Sequence, residues 1–422
     1  MATPFTASAD GVDMPVAHLA RALSEVVTGL GSAREQVAAV GVGGMAESGA
    51  PLRAGRPVGP IIAWHDGRGE ETVASLEARF GPALARWTGR RIRTVSSVAK
   101  LGWLLDHGLP DPDRWLGVPE LALFRLTGAE ATEHSLAART GAYDVIERRF
   151  RPEVIAHVLG RGDAFDRPLF PPVQAAGESM GFVSEKAAVE FGLPGGIPVT
   201  IAGHDHLAAA AGLGGRPDDL FNSVGTAETL VRRLDAAPDV ERALGLDLAV
   251  TVWPGGDAWA VMASATRSGL VIEALAARLG MEPRTLDDLA PSGVEEAGGP
   301  VRAMVALGQG FEVAAGSPGE MWTATLRALA RRTAAAAERV RALAGPHGRL
   351  VVFGGGSRSP VWLRAKAEEI GVPVVCSPVS ESVARGAALA AGVAVGWWPE
   401  IAAAPVPGLG AEGDRAGTMG AS

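Results

Sequence analysis

Lysine is nearly missing from this 422-residue chain: only Lys100, Lys186 and Lys366 occur, and none follows a glycine. The phosphate-cradling pattern GxxxxGK[ST] is therefore absent, and a P-loop nucleotide site is excluded. Cysteine is reduced to Cys376, so no internal disulfide can form and a reducing cytoplasm is the expected location. The opening residues, MATPFTASADGVDMPV, show no basic segment followed by an apolar one, which agrees with that expectation. Positive charge is not in excess: 39 Lys and Arg stand against 47 Asp and Glu, for a net charge of -8. A polyanion such as nucleic acid is not the expected partner. Long apolar runs are lacking as well. The charge-free stretch from Gly386 to Pro399 is shorter than the roughly 18 to 20 residues that span a bilayer, so no membrane association is expected.

What remains is an ordinary globular composition, with 47% hydrophobic and 20% charged residues and with Gly and Pro spread along the chain. The length gives two or three domains at roughly 100 to 200 residues each. Apolar residues from Val16 to Leu30 recur at helical spacing, and VAAVGVGG from Val37 reads as a buried strand feeding a loop. PIIAWHD reads as a short strand, and EETVASLEARF and SSVAKLGWLLDHG as helices. The stretch from Arg148 to Pro172 reads as irregular. GIPVTIAG is a strand entering the helix HDHLAAAAGLG, after which glycines mark a boundary near residue 212. Two strands, LFNSVG and TAETLVRRL, meet at Gly225-Thr226, and a long helix runs from about Met321 to Ala344. RLVVFGGG, VWLRAKAEEIG, VPVVCS and SESVARGAALAAGVAVG then alternate strand and helix, with Ser359 as N-cap and Pro360 as the first helical residue. The tail after Trp398 reads as loose. The fold class is α/β.

Several segments carry chemistry. Asp205 in GHDH sits where a strand ends and a helix begins, the place where open α/β sheets bind ligands; the plain alternative is a helix cap. In NSVGTAET the Gly225-Thr226 pair lets backbone N–H groups and a hydroxyl approach phosphate, or it is an ordinary hairpin turn. FGGGSRSPVW, from Phe353, leaves a backbone open to a flat or phosphorylated ligand, or simply packs helix on strand. Its spacing is not that of a dinucleotide fingerprint. GGMAESG and AWHDGRG present Glu47, Trp64, Asp66 and Arg68 in loops, an acid-and-indole combination suited to a polyhydroxylated ligand, or else solvated charge with Trp64 in the core. GESMG at Gly177 fits GxSxG but lacks the flanking strand and helix of a nucleophile elbow. HDH also fits the HxH of metallohydrolases, yet only His347 lies downstream to complete a ligand set.

Taken in order over residues 37–396, the GxMxExG loop, the WxD-R loop, GHDH, NSVGT and FGGGSRSPxW resemble the FGGY carbohydrate kinases. The resemblance implies two actin-like, ribonuclease H-like domains, here 1–212 for the sugar and 213–422 for the nucleotide, with the ligand cleft between them. It implies phosphorylation of a sugar or polyol hydroxyl with ATP and Mg²⁺, Asp205 being the base that accepts the hydroxyl proton. Gly225 and Thr226 match the second phosphate loop, and Gly354, Gly355, Gly356 and Ser357 match the adenosine motif. Glu47 stands where an Arg-Glu pair contacts polyol hydroxyls, but Ala46 replaces the arginine, which argues against glycerol. Trp64 and Asp66 match the second sugar loop, and His204 is expected beside the substrate. The implied partner is a small sugar or polyol, and a homo-oligomer stays open. Nothing before Val16 resembles the D-x-G-T hairpin and downstream Lys with which family members open, so the first phosphate loop is missing. The first domain is expected to lack its N-terminal β-hairpin, a piece of roughly 20 to 30 residues, leaving a flat valine-rich edge. A mis-assigned start or a truncation is the favoured explanation. The alternative function is a non-catalytic sugar- or nucleotide-binding relative.

Overall fold

The computed structural model describes residues 4–8, 11–161, 168–291, 303–305, 311–313 and 316–408. In the first lobe, Val40–Gly44 pairs in parallel with Pro198–His204, from Val40 opposite Val199 to Gly44 opposite His204. Gly181–Phe182 covers the other side of the Pro198 strand, antiparallel. The register shifts between Ile201 and Gly203, a bulge of the kind that re-aims a strand end. Gly203 has φ 104°, and a Cβ there would lie 2.5 Å from Ser135 Oγ and 2.6 Å from Glu133 Oε2, so no larger residue fits. This bulge delivers His204 and Asp205 to the strand end.

Val40–Gly44 was expected to be a buried strand, with an open valine-rich edge where the first hairpin is missing, and all five of its residues are half-buried. The reason is its free side: it pairs with the Pro198 strand alone, and its other edge carries no strand among the described residues. The hairpin Thr6–Ser8/Gly11–Met14 joins a different sheet, through Ile61–Ile62 to Gly49–Arg53. The helix expected after it runs over Val16–Thr28.

The second lobe is a six-stranded sheet in the spatial order Ala249–Val252, Trp259–Thr266, Glu228–Leu234, Asp219–Val224, Arg349–Phe353 and Val374–Cys376. The last three run parallel, and the rest are antiparallel. The long helix Pro318–Ala344 starts with a capping box formed by Ser317 and Glu320. Its buried stripe of Trp322, Leu326, Leu329, Thr333, Ala337 and Val340 follows the helical period against the sheet. The helix Pro360–Ile370 is capped by Ser359 Oγ, which accepts from Trp362 N, with Pro360 leading as expected.

The last long helix, Ser382–Ala394, leaves the second lobe and packs on the first, against Asp205–Leu213 and Val40–Gly44. Small residues make this possible: a Cβ on Gly41 would overlap the Ala387 carbonyl, and one on Gly386 the Ala208 carbonyl. Ala202, Ala208, Ala387 and Ala390 form the buried seam. Two expectations of irregularity are corrected. Between Arg148 and Pro172 the chain forms the strand Arg149–Phe150 and the helix Pro152–Val158, whose proline takes the permitted first-turn position; residues 162–167 lie outside the described ones. The tail after Trp398 forms a 3-10 turn at Ile401–Ala403, with Ile401 packed against the alanine seam; residues 409–422 lie outside the described ones. No helix among the described residues is long and apolar enough to cross a membrane.

Candidate active site

Two pairs of parallel strands aim their carboxyl ends at the site. Glu47 follows Gly44, and Asp205 follows His204, so both leave neighbouring strands of the first lobe. Gly225 follows Val224 and Gly354 follows Phe353, on the adjacent strands that pair Ser223 with Phe353 in the second. A hydrogen-bond contact joins the two pairs: His206 Nδ1 lies 2.9 Å from Ser223 Oγ.

Asp205 is the first residue of its helix, and its side chain keeps 36% of its exposure. Oδ1 accepts from the His206 backbone N–H at 2.7 Å and lies 3.2 Å from His204 Nε2. No hydrogen bond to Oδ2 occurs among the described residues. Burial alone would raise its pKa, but His206 and its backbone amide outweigh that, and the carboxyl is held below its ordinary value. It is therefore a carboxylate with one open oxygen throughout the neutral range. His204 is 5% exposed, and burial pushes its pKa down to about 3, so its ring is neutral. Behind it, Ser135 Oγ accepts from the His204 backbone N–H at 2.9 Å and donates to Glu133. Burial raises the pKa of Glu133 to about 7.

Glu47 has φ 64°, a costly conformation for a non-glycine residue. Side chains remote in sequence hold it there. Arg90 Nη1 donates to Oε1 at 3.1 Å, Arg139 Nε to the same oxygen at 2.7 Å, and Ser97 Oγ to the Glu47 carbonyl at 3.2 Å. Arg90 also donates to Ser96 Oγ at 2.9 Å and to the Arg139 carbonyl at 3.3 Å. Its burial, with Arg139 alongside, pulls the Arg90 pKa down to about 9 despite Glu47. Both arginines act electrostatically on His204, and Glu47 acts on Asp205. Ala46 thus does not leave Glu47 without a guanidinium. Sequence reasoning missed Arg90, Arg139 and the Glu133–Ser135 support. The only signal for Arg90 was the basic run Arg90, Arg91, Arg93, which reads equally as a solvated face.

The Trp64–Arg68 loop divides. Trp64 keeps 37% exposure, its backbone N–H donates to Ser48 Oγ at 2.7 Å, and its ring meets His65 edge-on at 5.2 Å. Asp66 is 3% exposed and fully engaged: it accepts from Val12 N at 2.6 Å and from Arg68 N and Nε at 2.8 Å each. Arg68 also pairs with Asp13 at 3.2 Å. This acid ties its loop to the N-terminal hairpin and is not free to hold a ligand hydroxyl.

In the second lobe, Gly225 and Thr226 are exposed at the turn between their strands. The three glycines behind them differ. A Cβ on Gly354 (φ 92°) would lie 2.6 Å from the Val224 carbonyl, and one on Gly356 would overlap Val224 and lie 2.5 Å from Trp362 Cζ3, whereas Gly355 faces open space. Packing accounts for two of the three, and only Gly355 gives a ligand room. Ser357 Oγ donates back to the Gly354 carbonyl at 2.7 Å, which fixes the loop. A cavity of about 510 Å³ lies elsewhere, at the far end of the Asp205 helix, lined by residues including Phe221, Trp253 and Val393. None of the sequence-chosen residues lines it.

His204, Asp205 and His206 bring one donor atom each within 4.8 Å of one another. Two imidazoles and one carboxylate do not suit magnesium, which takes oxygen ligands in octahedral geometry. The described residues therefore build no protein cage for that ion.

Two α/β lobes whose strand ends meet through the His206–Ser223 contact fit the actin-like, ribonuclease H-like class. Residues 11–212 match the N-terminal domain and residues 300–395 the C-terminal domain of the FGGY family of carbohydrate kinases. The chain is 30% identical over 397 residues to a xylulose kinase of Streptomyces coelicolor, covering 89% of this chain and 78% of that protein. It is 31% identical over 185 residues to the L-fuculokinase of Escherichia coli, a match covering 41% of this chain and only 37% of that protein. Among solved structures, that of a xylulose kinase from Rhodospirillum rubrum aligns with TM-score 0.78 at 23% identity, over 94% of this chain and 83% of that one. A Brucella ovis enzyme described as a xyloylose kinase aligns with TM-score 0.81 at 21% identity, over 93% and 83%. The chain belongs to the FGGY family of carbohydrate kinases.

Proposed function

We propose that the chain transfers the γ-phosphoryl group of ATP to a hydroxyl of a small sugar or polyol. The observation that carries this reading is the Asp205 carboxylate: ionised, with one oxygen open, at a strand end that neighbours the one leading to Glu47 and that His206 joins to the strand before Gly225. In this reading Asp205 Oδ2 accepts the hydroxyl proton as the sugar oxygen bonds to phosphorus and the bond to the departing ADP breaks. Glu47, held by Arg90 and Arg139, accepts hydrogen bonds from sugar hydroxyls, Trp64 covers an apolar face, and His204 orients the base. Asp66 contributes by shaping the Trp64 loop. Gly225 and Thr226 receive phosphate oxygens, while Gly354, Gly355, Gly356 and Ser357 back the adenosine. Magnesium would arrive with the nucleotide, on its phosphates. Residues 1–212 would form the sugar domain and 213–422 the nucleotide domain, working in the cytoplasm. The names of the relatives make xylulose the first sugar to test.

The test compares Asp205→Asn with wild type. Sugar-dependent ADP release should fall by about 10² to 10⁴, the usual worth of a general base, while calorimetric sugar affinity survives. Equal release by both proteins would remove Asp205 from the chemistry. One observation favours a second reading, a binding-only relative. Asp13, an acid of the N-terminal hairpin, is engaged by Arg68, so among the described residues of this hairpin its carboxylate is not free toward phosphate. Binding of sugar and nucleotide without ADP release would support that reading.

A further inference from the structure

A charged network is buried beneath the Gly225–Thr226 turn. Lys366 Nζ ion-pairs with Glu228 Oε1 and donates to Asn222 Oδ1 at 2.8 Å and to Thr333 Oγ1 at 3.3 Å. Glu228 also accepts from Ser268 Oγ at 2.6 Å and from Thr333 Oγ1 at 2.8 Å. All five residues are at most 1% exposed, and each comes from a different element. An ion pair this deep is poorly explained by stability, because apolar replacements of similar volume often serve as well. Its position suggests another purpose. Asn222 and Glu228 sit on the two stems of the turn, Asn222 before Gly225 and Glu228 after Thr226. Lys366 lies on the helix Pro360–Ile370, directly after the Gly354–Ser359 loop. Ser268 begins the helix whose Gly269 packs against Gly225, where a Cβ would lie 2.5 Å from the Gly225 carbonyl.

We propose that the Lys366–Glu228 pair is a positioning device for the nucleotide. It fixes the Gly225–Thr226 turn and the Gly354–Ser357 loop relative to each other, and so sets affinity for a nucleoside diphosphate that it does not touch. This rests on the reading of those two loops as the nucleotide site. The bonds of Lys366 to Asn222 and Glu228 tie the two stems of the turn to the helix after the glycine loop, so losing the pair frees one loop to shift against the other. An apolar pair would keep the core filled while leaving the turn's register unspecified.

The test is calorimetry of the full chain with ADP and magnesium, and separately with xylulose, on wild type and on the double variant Lys366→Met/Glu228→Leu. The expected result is a near-wild-type melting temperature, ADP affinity weakened about tenfold or more, as for a site loosened by a fraction of an ångström, and unchanged sugar affinity. A folded double variant that binds ADP as wild type does overturns the positioning role alone. Wild type that binds no ADP overturns the nucleotide reading and the inference with it. Should the double variant not fold, Ser268→Ala takes its place. ADP affinity lowered several-fold at an unchanged melting temperature supports the proposal, and unchanged affinity refutes it.

Discussion

At the scale of single residues, burial and immediate neighbours set the protonation of the site. Asp205 is held below its ordinary value against its burial, chiefly by His206 and its backbone N–H. Glu133, supporting the same strand end through Ser135, is pushed the other way, to about 7. Its folded pKa lies above the ordinary glutamate value of 4.5, so folding retains a proton that the unfolded chain has released. The resulting stability is complete below about pH 4.5 and is lost as pH rises through 7, roughly 3 kcal/mol at most. Wild type should therefore melt lower at pH 8 than at pH 5, and Glu133→Gln, which keeps an acceptor for Ser135, should flatten that slope in a pH series of melting curves. An unaltered slope would place the titration elsewhere. The sequence made Asp205, His204 and Glu47 legible because each follows an apolar run ending in glycine or histidine. Arg90 and Arg139 were not legible: nothing local distinguishes a buried guanidinium from a surface one, and only the fold brings them to Glu47.

Elements set the tolerances around these residues. The triple glycine at 354–356 read as one motif, yet the structure assigns two of its members to packing against Val224 and Trp362 and leaves one open. Gly354→Ala and Gly356→Ala should each lower the melting temperature, by roughly 1 to 3 kcal/mol of overpacking. Gly355→Ala should leave melting unchanged, so that any loss of ADP affinity in a titration reports ligand contact. Gly386→Ala should likewise destabilise by about 1 to 3 kcal/mol, since its Cβ would overlap a backbone carbonyl that cannot rotate away. Helices and strands of the second half were readable because period, N-cap Ser359 and Pro360 agree with one another. For Val40–Gly44 the sequence pointed two ways, to a buried strand by its valines and to an open edge by the missing hairpin, and the structure leaves it half-buried at a free edge. Val, Gly and Val in a row describe a strand without saying what lies beside it.

Across the whole molecule, the Ser382–Ala394 helix packs the end of the chain onto the first lobe, and the His206–Ser223 contact joins the strand ends of the two lobes. The order of motifs was enough to reveal the family and its two-lobed α/β fold, because those motifs sit at strand ends that the fold must bring together. The Asp66 anchor was hidden for the opposite reason: its partner, Val12, is remote in sequence and contributes only a backbone N–H. The central claim, phosphoryl transfer to a sugar, is tested most directly by following ADP release and sugar-phosphate formation together with wild-type protein, ATP, magnesium and a panel of sugars and polyols led by xylulose. The account predicts at least one member for which both products appear in equal amounts, at a rate that vanishes without the sugar. Sugars and nucleotide that bind without either product forming, or ADP release indifferent to every sugar, would contradict it.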